Sequence, residues 1–479
     1  MRYTEIAIAK PFEGKPQINL AGVYGASPGM PFLLRIPVTG QRPVRCSVDA
    51  LPAGLTLEGN IISGCIVSEG DYTVTIAAEN ALGRCEKQVT LEIHPHRVLL
   101  TPLLGFTSWN AFGSAVSQEK MIGIARRMTE LGICEYGYSY INTDSGWQLA
   151  YGGKHDAIMP NAKFPDMKQM TDEIHAMGLK CGIYSTPMLT AWGCPEELPS
   201  IPGCTQGEPD PRFADINGGI GGIHKEAGNV RQWTEWGFDY LKYDWRPCDT
   251  YNADLMYQEL LKADRDFGYC ITVHAFLPYC FYWSRVCNSY RCNTDAHGYW
   301  DNLLRVYPTY EPFADHVCKG HFFDMDMLDV GSCRHPGQPP HYFTLTEDEQ
   351  LLSYTMRAFF SSPLQISSSL VNISDFELSM YCNDEIIAIN QDTRFDPARR
   401  DHALEPACGS IHVYKRQLAD GSTALAVFNV GETEEDLVLR QDQDVTFRDV
   451  WAKKDLCTAT SLSLHSYPHT VRVLKLTQE

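Results

Sequence analysis

Aspartates recur at the ends of short apolar runs in this chain, and carboxyl groups placed in that way can do chemistry. The four that stand out are Asp144, Asp244, Asp295 and Asp326. Two carboxyl groups facing one sugar can break its glycosidic bond: one attacks the anomeric carbon as a carboxylate, and the other protonates the leaving oxygen. A single aspartate of this kind is more often the N-cap of a helix, so the prediction depends on several of them meeting in one place.

Cations and aromatic side chains accompany these aspartates. Lys242 stands two residues before Asp244, so on one strand both side chains point to the same side. The ammonium group could keep Asp244 ionised or could bind substrate hydroxyls, and the two roles are compatible. Asp295 has no cation immediately adjacent in the sequence, which favours it as the carrier of the proton. Trp109 and Tyr184 also end apolar runs, although a lone tryptophan is more often a core residue than a sugar platform.

The elements that must position these side chains lie in residues 97–392, where β-rich runs alternate with amphipathic helical segments. The eight candidate strands are LLGFTSWN, YSYINTDSGW, KCGIYSTP, FDYLKYDW, YCITVHA, SYRCNTD, HFFDMDML and SPLQISSS. One face of the first helical segment carries Met121, Ile124, Ala125 and Met128. This is the spacing of a helix packed on a sheet. Eight strand–helix units predict a (β/α)8 TIM barrel with its catalytic groups at the carboxyl ends of the strands. An open doubly wound sheet is the alternative, but no GxGxxG follows its first strand.

Two all-β regions flank the predicted barrel. Residues 1–96 alternate short β-rich runs with turn signals and predict an N-terminal Ig-like β-sandwich. Residues 393–479 return to β-rich runs, and the Asp420-Gly421 pair between two of them is a strong hairpin signal. We therefore expect a C-terminal antiparallel β-sandwich. The N-terminal sandwich could have a structural role, and it could equally serve a homo-oligomer.

Charge and cysteine usage restrict the partners and the compartment. The net charge is −19 without a Lys/Arg cluster, so we expect no nucleic acid partner. No apolar run approaches the roughly 18 residues that span a bilayer, and so we expect no membrane contact. Glu5, Lys10 and Glu13 interrupt what would be the apolar part of a signal peptide. The odd number of cysteines, seventeen, favours free thiols in a reducing compartment, and the prediction is a cytoplasmic protein.

Ordered motifs after residue 100 resemble glycoside hydrolase family 27, the α-galactosidase and α-N-acetylgalactosaminidase family. The resemblance runs through LLGFTSWNAFG, YINTDSGWQ, FPDMKQMTDEIHAMGLKCGIY, WGFDYLKYDW, YRCNTDAHGYW, FFDMDMLDVG and LTEDEQLLSYTMRAFFSSPLQIS. It continues through DEIIAINQD and into the tail at DGSTALAVFNVG. The family implies a carbohydrate substrate and retention of configuration by double displacement, with no metal or organic cofactor.

The resemblance also implies roles for individual residues. The family nucleophile is the aspartate of a K-[YF]-D strand end, which corresponds to Asp244 after Lys242. The family acid/base is the aspartate of an R-x-x-x-D segment with a tryptophan five residues on, which corresponds to Asp295 after Arg291 and before Trp300. The positions that match the family's sugar-binding residues are Trp109, Asp144, Tyr184 and Asp326.

Three features depart from the family pattern and bear on the substrate. Ser145 replaces the second acid of the family's D-D-x-W motif, which removes a charged acceptor for the 4- and 6-hydroxyls of galactose. Phe276 stands where a glutamate or small residues read the group at C2, and His274 nearby could substitute as a polar contact or could be a core histidine. The third feature is the long loop over residues 192–222, which we expect to overhang the pocket and to bind the leaving group or a second sugar.

Four other functions stay open, three of them enzymatic. A β-L-arabinopyranosidase shares the ring configuration of galactose without the C6 group, and an α-N-acetylgalactosaminidase uses the same scaffold. A catalytically inactive sugar-binding homologue is the alternative outside enzymes, although retention of Asp244 with Asp295 argues against it. A metal-dependent barrel hydrolase would need clustered ligands, and His274 is the one histidine among the candidate strand ends.

Overall fold

The computed structural model describes residues 2–192, 201–216, 218–272, 274–332 and 343–478. The chain forms a β-rich N-terminal unit, a central barrel of alternating strands and helices, and an antiparallel C-terminal unit. In the described ranges no helix is both long enough and apolar enough to cross a membrane.

The N-terminal unit is a sandwich with a small core of its own. Its strands are β1 (Gln17–Ile18), β2 (Val23–Ala26), β3 (Pro31–Arg35), β4 (Val38–Thr39), β5 (Arg45–Asp49), β6 (Leu55–Glu58), β7 (Ile61–Cys65), β8 (Gly70–Asn80) and β9 (Gly83–Ile93). A four-stranded sheet in the order β2-β9-β8-β5 faces a three-stranded sheet in the order β3-β7-β6. Val74 and Ile76 of β8 are buried between them while Thr73 is exposed, as a strand with one covered face requires.

The barrel region holds the longest run of elements. Its strands are β10 (Leu104–Thr107), β11 (Tyr140–Thr143), β12 (Gln148–Gly152), β13 (Ala157–Pro160), β14 (Lys180–Ser185), β15 (Thr205–Pro209), β16 (Gly221–His224), β17 (Tyr240–Asp244), β18 (Gly268–Thr272), β19 (Ser289–Arg291), β20 (Phe322–Asp324) and β21 (Leu364–Ile366). Its helices are α1 (Trp109–Phe112), α2 (Gln118–Glu130), α3 (Met167–Ala176), α4 (Glu226–Trp236), α5 (Thr250–Leu260), α6 (Cys280–Val286), α7 (Trp300–Val306), α8 (Glu347–Phe359), α9 (Asp375–Tyr381) and α10 (Asp384–Asn390).

Eight of these strands form one parallel sheet in the order β20-β19-β18-β17-β14-β11-β10-β21. A parallel bridge between Leu328, just after β20, and Ile366 of β21 joins the two edges. Seven of the eight strands lie within the runs predicted from the sequence, and β18 begins one residue before its run. The (β/α)8 barrel is confirmed. The apolar face of α2 is buried as its spacing predicts, and the hydroxyl of Ser117 accepts the N–H of Lys120 at 3.3 Å to begin that helix.

The C-terminal unit is an antiparallel sheet whose central strands bury both of their faces. Its strands are β22 (Arg399–Arg400), β23 (Ile411–Gln417), β24 (Thr423–Asn429), β25 (Glu435–Asp449), β26 (Lys454–Ser466) and β27 (Val471–Thr477). Alternate residues point in opposite directions, so Val413 packs in the core of this unit while Tyr414 packs against the barrel. The Asp420-Gly421 pair forms the turn between β23 and β24, where Gly421 adopts a φ of 84°. The predicted C-terminal sandwich is confirmed.

Charged groups fix the N-terminal unit to the barrel. Glu135, which is almost fully buried, receives the guanidinium groups of Arg35 at 2.7 Å and Arg42 at 3.2 Å. Before the first sandwich strand, the backbone N–H of Thr4 donates to Asp348 of α8 and that of Ala7 to the carbonyl of Trp451. The first residues of the chain thus pack on the barrel and the C-terminal unit.

Candidate active site

A cavity of about 270 Å³ opens at the carboxyl ends of the barrel strands. Nine of the eleven site residues predicted from the sequence line it: Trp109, Asp144, Ser145, Tyr184, Lys242, Asp244, Arg291, Asp295 and Asp326. Each lies within a few residues of the carboxyl end of a strand, which is where the βα loops of a barrel form its mouth. The barrel therefore brings together side chains that are far apart in the sequence.

The inner end of the cavity consists of Asp144, Lys242, Arg291 and Asp326, whose side chains are largely buried. The ammonium group of Lys242 donates to Asp144 at 2.7 Å. Burial lowers the pKa of Lys242, but the carboxylates of Asp144, Asp244 and Asp326 outweigh it and raise the pKa above its ordinary value. Lys242 thus remains charged and binds Asp144 directly, while it acts on Asp244 through its field.

Arg291 and Asp326 form the second ion pair of the inner end, with an Nη1–Oδ2 distance of 2.6 Å. Asp326 adopts a φ of 73°, a conformation that is uncommon for residues other than glycine. The N–H groups of Ala296 and Met327 each donate to its carboxylate at 2.9 Å. Burial would raise the pKa of Asp326, yet Arg291, Lys242 and the two N–H donors lower it to about 2. Asp326 is therefore an anion over the whole physiological pH range.

Asp244 ends β17 between the two ends of the cavity. The hydroxyl of Thr272 donates to its Oδ1 at 2.6 Å, and the phenol of Tyr184 donates to its Oδ2 at 3.2 Å. Burial raises the pKa of Asp244 above its ordinary value, and the charges of Lys242 and Arg291 oppose that rise. The two donors hold the carboxylate in one orientation facing the cavity, as a nucleophile requires.

The outer end of the cavity consists of Trp192, Arg246 and Asp295, which are partly exposed. The side chain of Asp295 is 46% exposed. Arg291 donates to its Oδ1 at 2.6 Å, and the guanidinium of Arg246 lies 3.9 Å from its Oδ2. The sequence showed no cation immediately adjacent to Asp295, but the fold places the guanidinium groups of Arg291 and Arg246 beside it. Asp295 nevertheless differs from Asp244 in its access to solvent.

Trp192 and Arg246 were not among the predicted contact residues. The Arg246 guanidinium lies 5.0 Å from the ring centre of Trp192, within the range of a cation–π contact. The hydroxyl of Ser145 donates to the carbonyl of Trp192, so Ser145 supports the cavity wall. A signal for Arg246 was present in the sequence, because it continues the alternation of Lys242 and Asp244 that places side chains toward the mouth.

Two predicted residues do not line the cavity. Phe276 is 49% exposed and lies beyond the end of β18. His274 has a positive φ of 61°, and burial, Arg291 and Arg246 lower the pKa of its imidazole below the ordinary value. The long loop over residues 192–222 contains the hairpin of β15 and β16, although the sequence predicted no regular structure there. Residues 193–200 and 217, which belong to the same loop, lie outside the described residues.

The charges in the cavity are arranged as ion pairs. In the described ranges no group of three or more His, Cys, Asp or Glu side chains is placed to hold a metal ion. The fifteen described cysteines are free thiols. The cavity thus offers carboxyl groups in two different environments, Asp244 enclosed by protein and Asp295 open to solvent, and such a pair can perform acid–base and nucleophilic chemistry on a sugar.

Comparisons with known proteins agree with this arrangement. The family profile described as "Alpha galactosidase A" matches residues 107–202 and 214–392, more than half of the chain. The profile for the α-galactosidase C-terminal β-sandwich domain matches residues 408–476. A relative named α-galactosidase A from Cellvibrio japonicus (strain Ueda107) is 27% identical over 414 residues, covering 78% of this chain and 92% of its own.

Two solved structures extend the comparison. A Bacteroides fragilis NCTC 9343 protein described as an α-galactosidase/melibiase superposes with a TM-score of 0.85 at 28% identity, covering 98% of this chain and 99% of its own. A family 27 β-L-arabinopyranosidase from Geobacillus stearothermophilus shares the fold, with a TM-score of 0.69 at 21% identity over 79% of this chain and 98% of its own. The chain belongs to the α-galactosidase family, glycoside hydrolase family 27, and is a glycosidase of the α-galactosidase type.

Proposed function

We propose that the protein removes terminal α-D-galactosyl residues from a carbohydrate with retention of configuration, using Asp244 as nucleophile and Asp295 as general acid/base. The observation that carries the proposal is the presence of these two carboxyl groups in one cavity but in unlike surroundings. Asp244 receives hydrogen bonds from Thr272 and Tyr184 and faces the cavity, whereas Asp295 is open to solvent. Unlike environments let two carboxyl groups of the same kind take different roles.

The first half of the reaction uses both groups at once. The carboxylate of Asp244 attacks the anomeric carbon, and the bond from that carbon to the leaving oxygen breaks. Asp295 gives its proton to the leaving oxygen, so the leaving group departs as an alcohol. The product in the cavity is a glycosyl ester of Asp244.

The second half releases the sugar. A water molecule gives its proton to Asp295, and its oxygen bonds to the anomeric carbon while the ester bond to Asp244 breaks. Two displacements at one carbon restore the original configuration. The solvent access of Asp295 suits this step because water must reach it.

The inner end of the cavity suits a single sugar ring. The volume of the whole cavity, about 270 Å³, lies below the roughly 300–1,000 Å³ of pockets that hold drug-sized ligands. Asp144, Lys242 and Asp326 offer charged acceptors and a charged donor to hydroxyl groups, and such hydrogen bonds are about twice as strong as neutral ones. A cavity closed at this end supports exo-cleavage of a terminal residue.

A β-L-arabinopyranosidase is the second candidate, and the contact of Ser145 favours it. The hydroxyl of Ser145 donates to the carbonyl of Trp192, so this side chain provides no charged acceptor for a C6 hydroxyl. A substrate without C6 loses no hydrogen bond when Ser145 stands in place of the second aspartate of the family motif. No comparable observation favours an α-N-acetylgalactosaminidase. Phe276 does not line the cavity, so it gives no evidence about the group at C2.

Hydrolysis of four p-nitrophenyl glycosides tests these proposals: the α-D-galactoside, the α-N-acetyl-D-galactosaminide, the β-L-arabinopyranoside and the α-D-glucoside. We expect the highest kcat/KM for the α-D-galactoside, and proton NMR of the early product should show the α-anomer. A preference for the arabinopyranoside would move the assignment to the second candidate. A β-anomer as first product would refute double displacement, and binding of galactose without turnover of any glycoside would indicate an inactive sugar-binding homologue.

A further inference from the structure

We infer that Arg246, held against Trp192, is the residue that binds the sugar on the leaving-group side of the scissile bond. The inference rests on the proposed function and names a second, outer sugar position of the same site. The ligand it implies is a neutral sugar whose hydroxyl oxygens accept hydrogen bonds from a guanidinium group.

The first step concerns the free donors of Arg246. Its side chain lines the cavity and is 38% exposed. In the part of the chain that the structure describes, its contacts are the Trp192 ring at 5.0 Å and the Asp295 carboxylate at 3.9 Å. The second distance exceeds that of a hydrogen bond, so the N–H groups of this guanidinium remain available to a ligand.

The second step compares Arg246 with the other cavity cations. Lys242 donates to Asp144 at 2.7 Å, and Arg291 donates to Asp295 and lies within an ion-pair distance of Asp326, both at 2.6 Å. These two cations are tied to the carboxylates of the protein. Among the described lysines and arginines that line the cavity, Arg246 is the one without a carboxylate at hydrogen-bond distance. The five N–H donors of its planar fork suit neighbouring hydroxyl oxygens.

The third step fixes the side of the substrate that Arg246 meets. The leaving oxygen must lie next to Asp295, because Asp295 protonates it. The sugar attached to that oxygen therefore occupies the space beyond Asp295, away from the buried inner end. Arg246 is the cation on that side, 3.9 Å from the Oδ2 atom of Asp295.

The fourth step explains why the guanidinium is held ready. Trp192 packs with Tyr184, Ala191 and Ile201, and its carbonyl accepts a hydrogen bond from Ser145. The indole ring so fixed restrains the guanidinium through the cation–π contact. A restrained donor group loses less conformational entropy when it binds, which strengthens binding of the outer sugar.

The test compares two reactions of the same intermediate, the galactosyl ester of Asp244: transfer of the galactosyl group to an acceptor sugar, and its hydrolysis by water. With p-nitrophenyl α-D-galactoside as donor, nitrophenol release reports formation of the galactosyl ester of Asp244. An added acceptor, methyl α-D-glucopyranoside or methyl α-D-galactopyranoside, then competes with water: its hydroxyl oxygen bonds to the anomeric carbon, the ester bond breaks, and Asp295 takes the hydroxyl proton. Both routes need Asp295, so the ratio of transfer to hydrolysis isolates binding of the acceptor sugar.

We expect Arg246→Met to lower this ratio by roughly ten- to a hundredfold, the effect of losing one hydrogen bond to a charged group. Arg246→Lys, which keeps the charge but loses the planar fork, should recover part of it. The matched control is Arg212→Met, because Arg212 stacks on Phe213 and Tyr251 at 5.4 and 5.1 Å but does not line the cavity. The control should keep the wild-type ratio.

Three outcomes would overturn the inference. One is a ratio of transfer to hydrolysis in Arg246→Met that stays within about twofold of the wild-type ratio. Another is an equal fall of this ratio in the Arg212→Met control. The third is a wild-type enzyme that releases nitrophenol but transfers to neither acceptor. Absence of nitrophenol release from the donor is a separate result, because it contradicts the proposed function itself.

Discussion

The two ends of the cavity are built from the same residue types but in opposite ways. At the inner end, Asp144 and Asp326 are paired at 2.6–2.7 Å with Lys242 and Arg291, and all four side chains are largely buried. At the outer end, Arg246 lies 3.9 Å from Asp295, and both side chains are more than a third exposed. The close pairs fix acceptors and donors for one sugar ring. Arg291 also holds the Oδ1 atom of Asp295 at 2.6 Å, but the Oδ2 atom is only loosely paired with Arg246 and the side chain is open to solvent.

This difference has an energetic meaning. A buried ion pair is costly to break because removal of one partner leaves an uncompensated charge. An exposed pair contributes about 0–1 kcal/mol, so either partner can change its contacts at little expense. The inner end therefore has a rigid geometry, and the outer end can accept different leaving groups and then water. The predictions below test this contrast.

The largest effect should follow from removal of the nucleophile at the junction of the two ends. Asp244→Ala should lower kcat/KM by at least about 10⁴-fold on every glycoside, because no ester intermediate can form. Added azide should restore turnover of an activated aryl glycoside and give a product of inverted configuration. A residual rate within tenfold of the wild type would show that another group is the nucleophile.

Removal of the outer carboxyl group should have an effect that depends on the leaving group. Asp295→Ala should lower kcat/KM by about 10²–10⁴-fold for a disaccharide, whose leaving oxygen needs a proton. The phenolate of a dinitrophenyl glycoside leaves without protonation, so kcat/KM for this substrate should fall much less when formation of the ester limits the rate. The comparison is made under conditions where formation of the ester limits the rate, and equal losses with both substrates would contradict the role of Asp295 as the acid.

Arginine substitutions test the contrast in stability directly. Arg291→Met leaves the buried Asp326 without its closest cation and should destabilise the protein by about 3–5 kcal/mol. Arg246→Met removes a half-exposed side chain and should cost no more than about 1 kcal/mol. Thermal melting of the two variants beside the wild type measures the difference. Equal losses of stability in the two variants would mean that the inner and outer ends of the cavity do not differ in the energy of their ion pairs.

Much of this site could be predicted from the sequence because strand ends are marked locally. An apolar run that stops at a polar residue identifies the mouth of a barrel, and nine predicted residues lie there. The contacts of Lys242 with Asp144 and of Arg246 with Asp295 were not predictable, because in each the two residues come from different strands. Phe276 was matched to a motif position, but it stands beyond the last residue of β18, where alternation no longer fixes the direction of a side chain. The hairpin of β15 and β16 lies in a segment rich in Pro and Gly, which concealed its strands.

The pH dependence of the reaction should reveal how the inner end acts on the nucleophile. Burial raises the pKa of Asp244, and the reaction needs its ionised form, so kcat/KM should fall with decreasing pH at a value above that of an ordinary aspartate. Lys242 opposes the effect of burial, and Lys242→Met should therefore move this acid limb to higher pH. The pH profile of kcat/KM on an aryl glycoside measures the change. An acid limb that stays in place would show that the charge of Lys242 does not reach Asp244.

The smallest effect should come from Ser145, where two roles can be separated. If its hydroxyl supports the wall through the carbonyl of Trp192, Ser145→Ala removes one neutral hydrogen bond, worth about 1 kcal/mol, and kcat/KM should fall by roughly fivefold. The loss should be the same for the α-D-galactoside and the β-L-arabinopyranoside, because the wall meets both, and Ser145→Thr should retain most of the activity. If instead the hydroxyl binds the C6 group of galactose, the galactoside alone should lose activity. The ratio of the two kcat/KM values thus decides whether Ser145 contacts the sugar or holds the tryptophan that supports Arg246.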